Sequence, residues 1–301
     1  MAFTKIAVLG FGEAGPVFAA AFIDAGIAEV SAYDILLDDP ASAARQRAKT
    51  EALGVVAAAD TGTAVNGADL ILSTVTADQT VLAAKAAAPY LQAEQSYLDL
   101  NSTSPRIKAE AAAAVEASGA AFVEGAAMDT VPNFGAKVPI LIAGATAAAL
   151  AVRLNALGMQ VECAGPALGA ASTAKMLRSV LIKGLAALFA ESMLAAGKLG
   201  LQERIIASLG VTFPGLDWQQ VIGYYLSRSG LHAKRQAAEM RASAETVDDL
   251  GVEPIMTNAI AARLQWAADL DLAAFYETGE APSVEDYLNA VAAARQGKAK
   301  A

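Results

Sequence analysis

Through the first half of the chain, short β-branched and apolar runs alternate with longer alanine-rich stretches of helical periodicity. The runs cover residues 6–9, 29–33, 54–56, 69–73, 97–100 and 121–124. Strands spaced by helices of this length predict βαβ crossovers and a parallel sheet covered on both faces. Two further runs, 138–143 and 159–163, extend the sheet around a helix at 146–156. After Gly165-Pro166 the strand pattern stops. A long apolar helix is predicted from 170 to about 198, followed by helices near 219–227, 233–244, 254–270 and 284–294 and a frayed tail at 297–301. The expected architecture is a doubly wound, mostly parallel α/β domain over 1–165 and an all-α domain over 166–301.

Composition narrows the function classes. The 301 residues are 55% hydrophobic, enough for two cores, and carry a net charge of −9. That acidity, with no basic block beyond His232-Ala-Lys-Arg235, argues against nucleic-acid binding. One cysteine, Cys163, and one histidine, His232, leave no disulfide and no His/Cys metal cluster. The N-terminus enters a strand without a signal-like segment. The longest uncharged run, 138–152, contains Pro139 and Gly144 and falls short of the roughly 20 residues of a membrane span. A cytoplasmic protein with no membrane partner is expected.

The first strand leads into Gly10-Phe-Gly12-Glu-Ala-Gly15 and then a helix. In that context GxGxxG is a dinucleotide fingerprint, and the domain reads as a Rossmann domain. Gly10 allows the sharp turn, Gly12 lets the backbone approach a pyrophosphate, and Gly15 lets helix and strand pack closely. Glu13 and Ala14 complete the turn whose amides face the phosphates. Asp34, nineteen residues after Gly15 at the end of the second strand, is placed to accept from both ribose hydroxyls. It would repel a 2′-phosphate, and no Lys or Arg follows until Arg45, so NAD is expected rather than NADP.

With this turn, Ser73-Thr-Val-Thr76, Asp99-Leu-Asn-Ser-Thr-Ser-Pro105, Phe122-Val-Glu-Gly-Ala-Ala-Met-Asp-Thr130 and Gly169-Ala-Ala-Ser-Thr-Ala-Lys175 together resemble the β-hydroxyacid dehydrogenase superfamily. That superfamily includes 3-hydroxyisobutyrate and 6-phosphogluconate dehydrogenases. The segment His232 to Met240, with Gly251-Val-Glu-Pro254, is similar to a phosphogluconate-dehydrogenase-like branch with a C-terminal domain of unknown function. The resemblance implies that Lys175 is the catalytic acid/base. A lysine inside an apolar helix also loses hydration, which lowers its pKa toward a useful range. At 100° per residue Ser179 and Lys183 share a broad face with Lys175. Asn101 and Ser102, in a loop at the carboxyl end of the sheet, are candidate substrate contacts, and Asn101 a cofactor contact as well. Thr74 and Val75 follow the fourth strand beside the cofactor, with Val75 against the nicotinamide. Ser104 is placed to cap the helix that Pro105 begins.

The chain also departs from the family. Met128-Asp129-Thr130 replaces the usual serine and glycines that hold a substrate carboxylate, leaving backbone amides there to assist. Ser179 stands where asparagine is usual, and Ile182 where 6-phosphogluconate dehydrogenases carry glutamate. These changes imply a bulkier or less anionic substrate and argue against decarboxylating sugar-phosphate oxidation. Trp218, Tyr224, Tyr225 and His232 are candidate walls of the pocket. The expected reaction is NAD(H)-dependent hydride transfer to or from a small hydroxy compound, in a homodimer joined through the helical domain. An imine reductase on the same fold, or a non-catalytic NAD-binding sensor, stays open.

Overall fold

A computed structural model describes residues 3–275 and 283–298. Eight strands form one sheet: β1 (Lys5–Leu9), β2 (Glu29–Tyr33), β3 (Val56–Ala57), β4 (Leu70–Ser73), β5 (Ser96–Asp99), β6 (Ala121–Ala127), β7 (Pro139–Ala143) and β8 (Gln160–Gly165). Their order is 3-2-1-4-5-6-7-8, and every pairing is parallel except β6 with β7. Helices α1 (Gly15–Asp24), α2 (Ala43–Glu51), α3 (Thr61–Val65), α4 (Thr80–Ala87), α5 (Pro105–Glu116), α6 (Val131–Phe134) and α7 (Ala147–Asn155) connect them.

Period-two alternation sends successive strand residues to opposite faces. Ile6, Val8, Leu70, Leu72 and Leu98 pack with Phe18 and Phe22 of α1 and Leu150 and Leu154 of α7. Ala7, Leu9, Ile71, Tyr97 and Phe122 pack with α3, α4 and α5 on the other face. Both faces are therefore buried, which is why the strands read as continuous apolar runs. The strand order reverses between β1 and β4, so the crevice at their carboxyl ends is the switch point where such sheets bind ligands.

The remaining helices are α8 (Ala170–Gly197), α9 (Gln202–Thr212), α10 (Trp218–Leu231), α11 (Ala233–Asp249), α12 (Ile255–Asp269) and α13 (Val284–Lys298). Helix α9 has no counterpart among the predicted elements. It buries only Ile206, so its apolar stripe is too thin to mark it. Helix α13 runs through Gly297 and Lys298, the start of the expected frayed tail, and 299–301 lie outside the described residues. Phe189, Met193, Ile222, Leu226 and Tyr287 form the main helical core. By length and composition α8 is apolar enough to cross a membrane, as core helices of soluble proteins also can be. Lys175, Arg178, Lys183 and Glu191 interrupt it, so it holds no long uncharged run.

The chain divides into two compact units, Met1–Lys175 and Met176–Ala301. The division falls at residue 175, against 165 from the sequence. The first turn of α8 goes with the sheet because Ala171 packs on Ala126 of β6 and Ala143 of β7.

One buried ion pair ties the sheet's carboxyl edge together. Lys108 of α5 is 1% exposed, and its Nζ lies 3.1 Å from Oδ1 of Asp99, which is fully buried. The same nitrogen donates to the Asp99 carbonyl at 2.7 Å and the Gly125 carbonyl at 3.2 Å, bridging β5 and β6. Removing one partner of such a pair strands the other charge. Lys108→Ala is expected to cost about 3–5 kcal/mol, read as a lower urea midpoint at unchanged slope. A loss below about 1 kcal/mol, the range of an exposed pair, would contradict this reading.

Candidate active site

The glycine turn is built as the fingerprint requires. Gly10 has φ +88°, and a Cβ there would sit 2.7 Å from the Thr74 carbonyl oxygen. A Cβ at Gly15 would lie 2.2 Å from the Gly10 carbonyl oxygen, so only glycine lets α1 start this close to β1. Gly12 differs: a Cβ there meets nothing within 4 Å. No contact inside the protein demands glycine at position 12, whereas a pyrophosphate lying on the backbone would. The start of α1 has no side-chain cap and no acidic residue in its first turn. Pro16 has no amide hydrogen and the Val17 amide donates to the Ala14 carbonyl at 3.0 Å, so donors for an anion come from the turn up to Gly15. Glu13 is exposed and Ala14 half-buried beside them. The residues fit a dinucleotide.

Asp34 does more than the sequence implied. It is 9% exposed. Its Oδ2 accepts from the Phe11 amide at 2.6 Å and its Oδ1 from the Leu36 amide at 2.9 Å. It thus locks the turn to the end of β2, and each oxygen keeps a lone pair for a ribose hydroxyl. Neighbouring Tyr33 donates to Asp38 at 2.5 Å. Burial first, then Asp38, pushes the Tyr33 pKa up to about 12, so it stays a neutral donor. Thr74 braces the turn from the other side, its Oγ1 donating to the Gly10 carbonyl at 2.8 Å. Val75 follows it, half-buried.

Sequence reasoning missed Lys49. From α2 its Nζ donates to the Phe11 carbonyl at 3.0 Å and the Gly12 carbonyl at 2.5 Å, over the Phe11 ring. Two turns of helix separate it from the end of the β2 loop, so only the tertiary fold places this cation at the glycine turn.

The loop after β5 carries Asn101, which is 4% exposed. Its amide donates to Asp99 Oδ1 at 2.8 Å and its Nδ2 to Ser73 Oγ at 3.0 Å. The Lys108–Asp99 pair therefore also orients Asn101. The Asn101 Oδ1 is buried and accepts no hydrogen bond within the protein, an acceptor left open. Ser102 is half-buried beside it. Ser104 occupies the N-cap position of α5 but makes no side-chain cap, and Pro105 begins the helix. Beneath the loop, burial and then the charge of Asp99 raise the Tyr97 pKa well above its ordinary value.

Gly169, with φ +95°, turns the chain into α8, and a Cβ there would lie 3.6 Å from Pro105 Cβ. The Asn101–Pro105 loop and the start of α8 are thus neighbours within the N-terminal unit. Lys175, half-buried, is the sixth residue of that helix. Met128 and Asp129 follow β6, both half-buried. Two of the amides expected to assist there are committed: Met128 donates to the Pro139 carbonyl at 2.8 Å and Thr130 to Asp129 Oδ1 at 2.7 Å. The antiparallel β6–β7 pairing claims the first, and a local Asp–backbone turn claims the second.

Comparison with known proteins agrees with this geometry. Residues 5–152 match the NAD-binding domain of 6-phosphogluconate dehydrogenase, and 196–267 match a domain of unknown function (DUF1932). The chain belongs to the β-hydroxyacid dehydrogenase superfamily. It is similar to a conserved hypothetical protein from Sinorhizobium meliloti, with 40% identity, 97% and 96% of the two chains covered and a TM-score of 0.77. Conserved protein MTH1747, described as structurally similar to 3-hydroxyacid dehydrogenases, shares 27% identity over 88% of this chain and 97% of its own, with a TM-score of 0.72. Mycobacterium tuberculosis 3-hydroxyisobutyrate dehydrogenase shares the fold at 18% identity, covering 98% of this chain and 100% of its own, TM-score 0.75.

In the C-terminal unit of this superfamily member, Ser179 is buried on α8. Lys183 pairs with Glu239 of α11 at 2.8 Å, so its charge is already met within the helices. His232 joins α10 to α11 in a one-residue turn, half-buried. Trp218 and Tyr225 pack against the helical core, whereas Tyr224 is exposed with Arg228 over its ring.

The contrast between the glycines is testable. Gly12→Ala is expected to leave thermal stability unchanged while weakening NADH binding at least about tenfold, or about 1.4 kcal/mol. Unchanged affinity by fluorescence titration would remove the turn from the cofactor site.

Proposed function

We propose that this protein is a soluble, cytoplasmic NAD(H)-dependent oxidoreductase that interconverts a small hydroxy compound, a β-hydroxy acid or a relative, and its carbonyl form. The observation that carries this reading is the start of α8. One compact unit holds Lys175, the Asn101 loop and the glycine turn at the same end of the sheet. When bound, the cofactor supplies the acceptor or donor of hydride. Lys175 takes the proton from the substrate hydroxyl during oxidation and returns it to the carbonyl oxygen during reduction. Asn101 offers its free Oδ1 to a donor on substrate or cofactor, with Ser102 and Ser179 as further polar contacts. Asp34 and the amides of the glycine turn hold the dinucleotide and so orient its reactive ring.

Lys49 favours a second outcome for the cofactor. A cation at the glycine turn is chemistry suited to a 2′-phosphate, whereas Asp34 opposes one. We place NAD first because Asp34 is buried and bonded to the turn itself. For assembly, Leu177, Leu181, Leu185 and Leu188 lie exposed along one stripe of α8. They support a homodimer through the helical unit, expected in sedimentation at micromolar concentration.

Turnover of NADH and NADPH against hydroxy acids, aldehydes and cyclic imines tests the reading. Hydroxy-acid or carbonyl turnover with NADH is expected. Lys175→Met should bind NADH normally and lose about 10²–10⁴-fold in kcat. Full activity in that variant, or imine turnover with NADPH alone, would overturn the assignment, and binding without any turnover would favour a sensor.

A further inference from the structure

Within β6, Phe122, Val123, Gly125 and Ala126 are buried and small or apolar, yet Glu124 sits among them with no exposed surface. A carboxylate in such a place must be paired. Its Oε1 accepts from the Ala171 amide at 2.8 Å and the Ser172 amide at 3.4 Å, and its Oε2 from the Ser172 hydroxyl at 2.7 Å. These amides belong to the second and third residues of α8, which have no acceptor inside their own helix. The residue just before the helix is Gly169, which has no side chain to cap with. Its positive φ makes the turn, and a residue 47 positions upstream supplies the cap. A buried carboxylate facing the positive end of a helix makes charge-assisted bonds, stronger than neutral ones.

Ala171 and Lys175 are four residues apart, about 40° around the helix and one turn along it. Whatever fixes the first turn therefore fixes Lys175. The strand that carries Glu124 is itself tied to the Asn101 loop, because Lys108 bridges Asp99 to Gly125, the next residue of β6. The buried polar groups form a continuous path from that loop to the helix start, all inside the N-terminal unit.

We propose that Glu124 is a positioning residue that clamps the first turn of α8 and so sets where Lys175 stands relative to the Asn101 loop and the glycine turn. The proposal rests on the role given to Lys175 above, and its test is chosen to stand apart from that role.

The probe is acetic anhydride at limiting concentration, with acetylation of Lys175 and of the exposed Lys85 read by peptide mass spectrometry in the full chain. Releasing the clamp lets the helix start open. In Glu124→Ala the Lys175 rate, relative to Lys85, should rise at least about threefold, the low end of what losing a helix cap does to a local opening equilibrium. Glu124→Gln keeps an acceptor for the amides and a partner for the Ser172 hydroxyl, and should restore most of the wild-type ratio. NADH affinity should hold in both, since neither touches the glycine turn. On any substrate found in the panel, kcat should fall in Glu124→Ala while the KM for cofactor is kept. Should Glu124→Ala fail to fold, Ser172→Ala removes the 2.7 Å bond from the helix side and is expected to move the ratio in the same direction. A folded variant lacking these bonds that acetylates Lys175 at the wild-type ratio overturns the proposal. Acetylation needs no substrate, so absence of turnover would count against the oxidoreductase reading without touching the clamp.

Discussion

Three charged side chains without access to water hold the carboxyl end of the N-terminal sheet: Lys108, Asp99 and Glu124. Burying charges costs stability unless every one is paired and hydrogen-bonded, so each dictates the position of its partners. Lys108 fixes β5 against β6, Asp99 fixes the amide of Asn101, and Glu124 fixes the first turn of α8. The site's polar groups thus stand on a frame whose geometry admits little slack. An apolar frame of the same volume would pack as well but would leave the loop and the helix start free to slide.

The glycine turn follows a different logic. Gly10 and Gly15 are required by backbone contacts within the fold, whereas Gly12 is required by no neighbour. The turn is braced from three directions, by Asp34, Thr74 and Lys49, so its amides are held ready before a ligand arrives. Rigid presentation of this kind reduces what binding must spend on ordering. The same economy explains why Asp34 is buried: a carboxylate already tied to Phe11 and Leu36 presents its remaining lone pairs in one direction.

Much of the architecture is legible in the chain because it is set by local periodicity. Strands buried on both faces must be apolar throughout, so β1 and β4 to β6 stand out, whereas the outer strands β3 and β8 are marked only by short β-branched runs between helices. The thin stripe of α9 does not stand out, because one buried residue makes no pattern. The glycine turn, Asp34 and Lys175 are readable as spaced residue types in a strand–turn–helix setting. The bracing contacts are not, since Lys49, Lys108 and Glu124 act across long sequence separations. Two faint signals exist even there. Lys108 falls at the head of the buried face Lys108, Ala111, Ala112, Val115, and Glu124 interrupts a strand apolar on both faces. A charge on a face that must be buried announces a partner without naming it. The amides of Met128 and Thr130 mislead in the opposite way, because an antiparallel neighbour claims the first and the Asp129 carboxylate the second.

The most direct test of the account is an experimental structure of the protein with NADH bound. The pyrophosphate is expected over Gly12, the adenosine ribose on Asp34, and the nicotinamide facing Lys175 with room between them for one small molecule. A dinucleotide bound away from the glycine turn, or a nicotinamide face turned from Lys175, would contradict it.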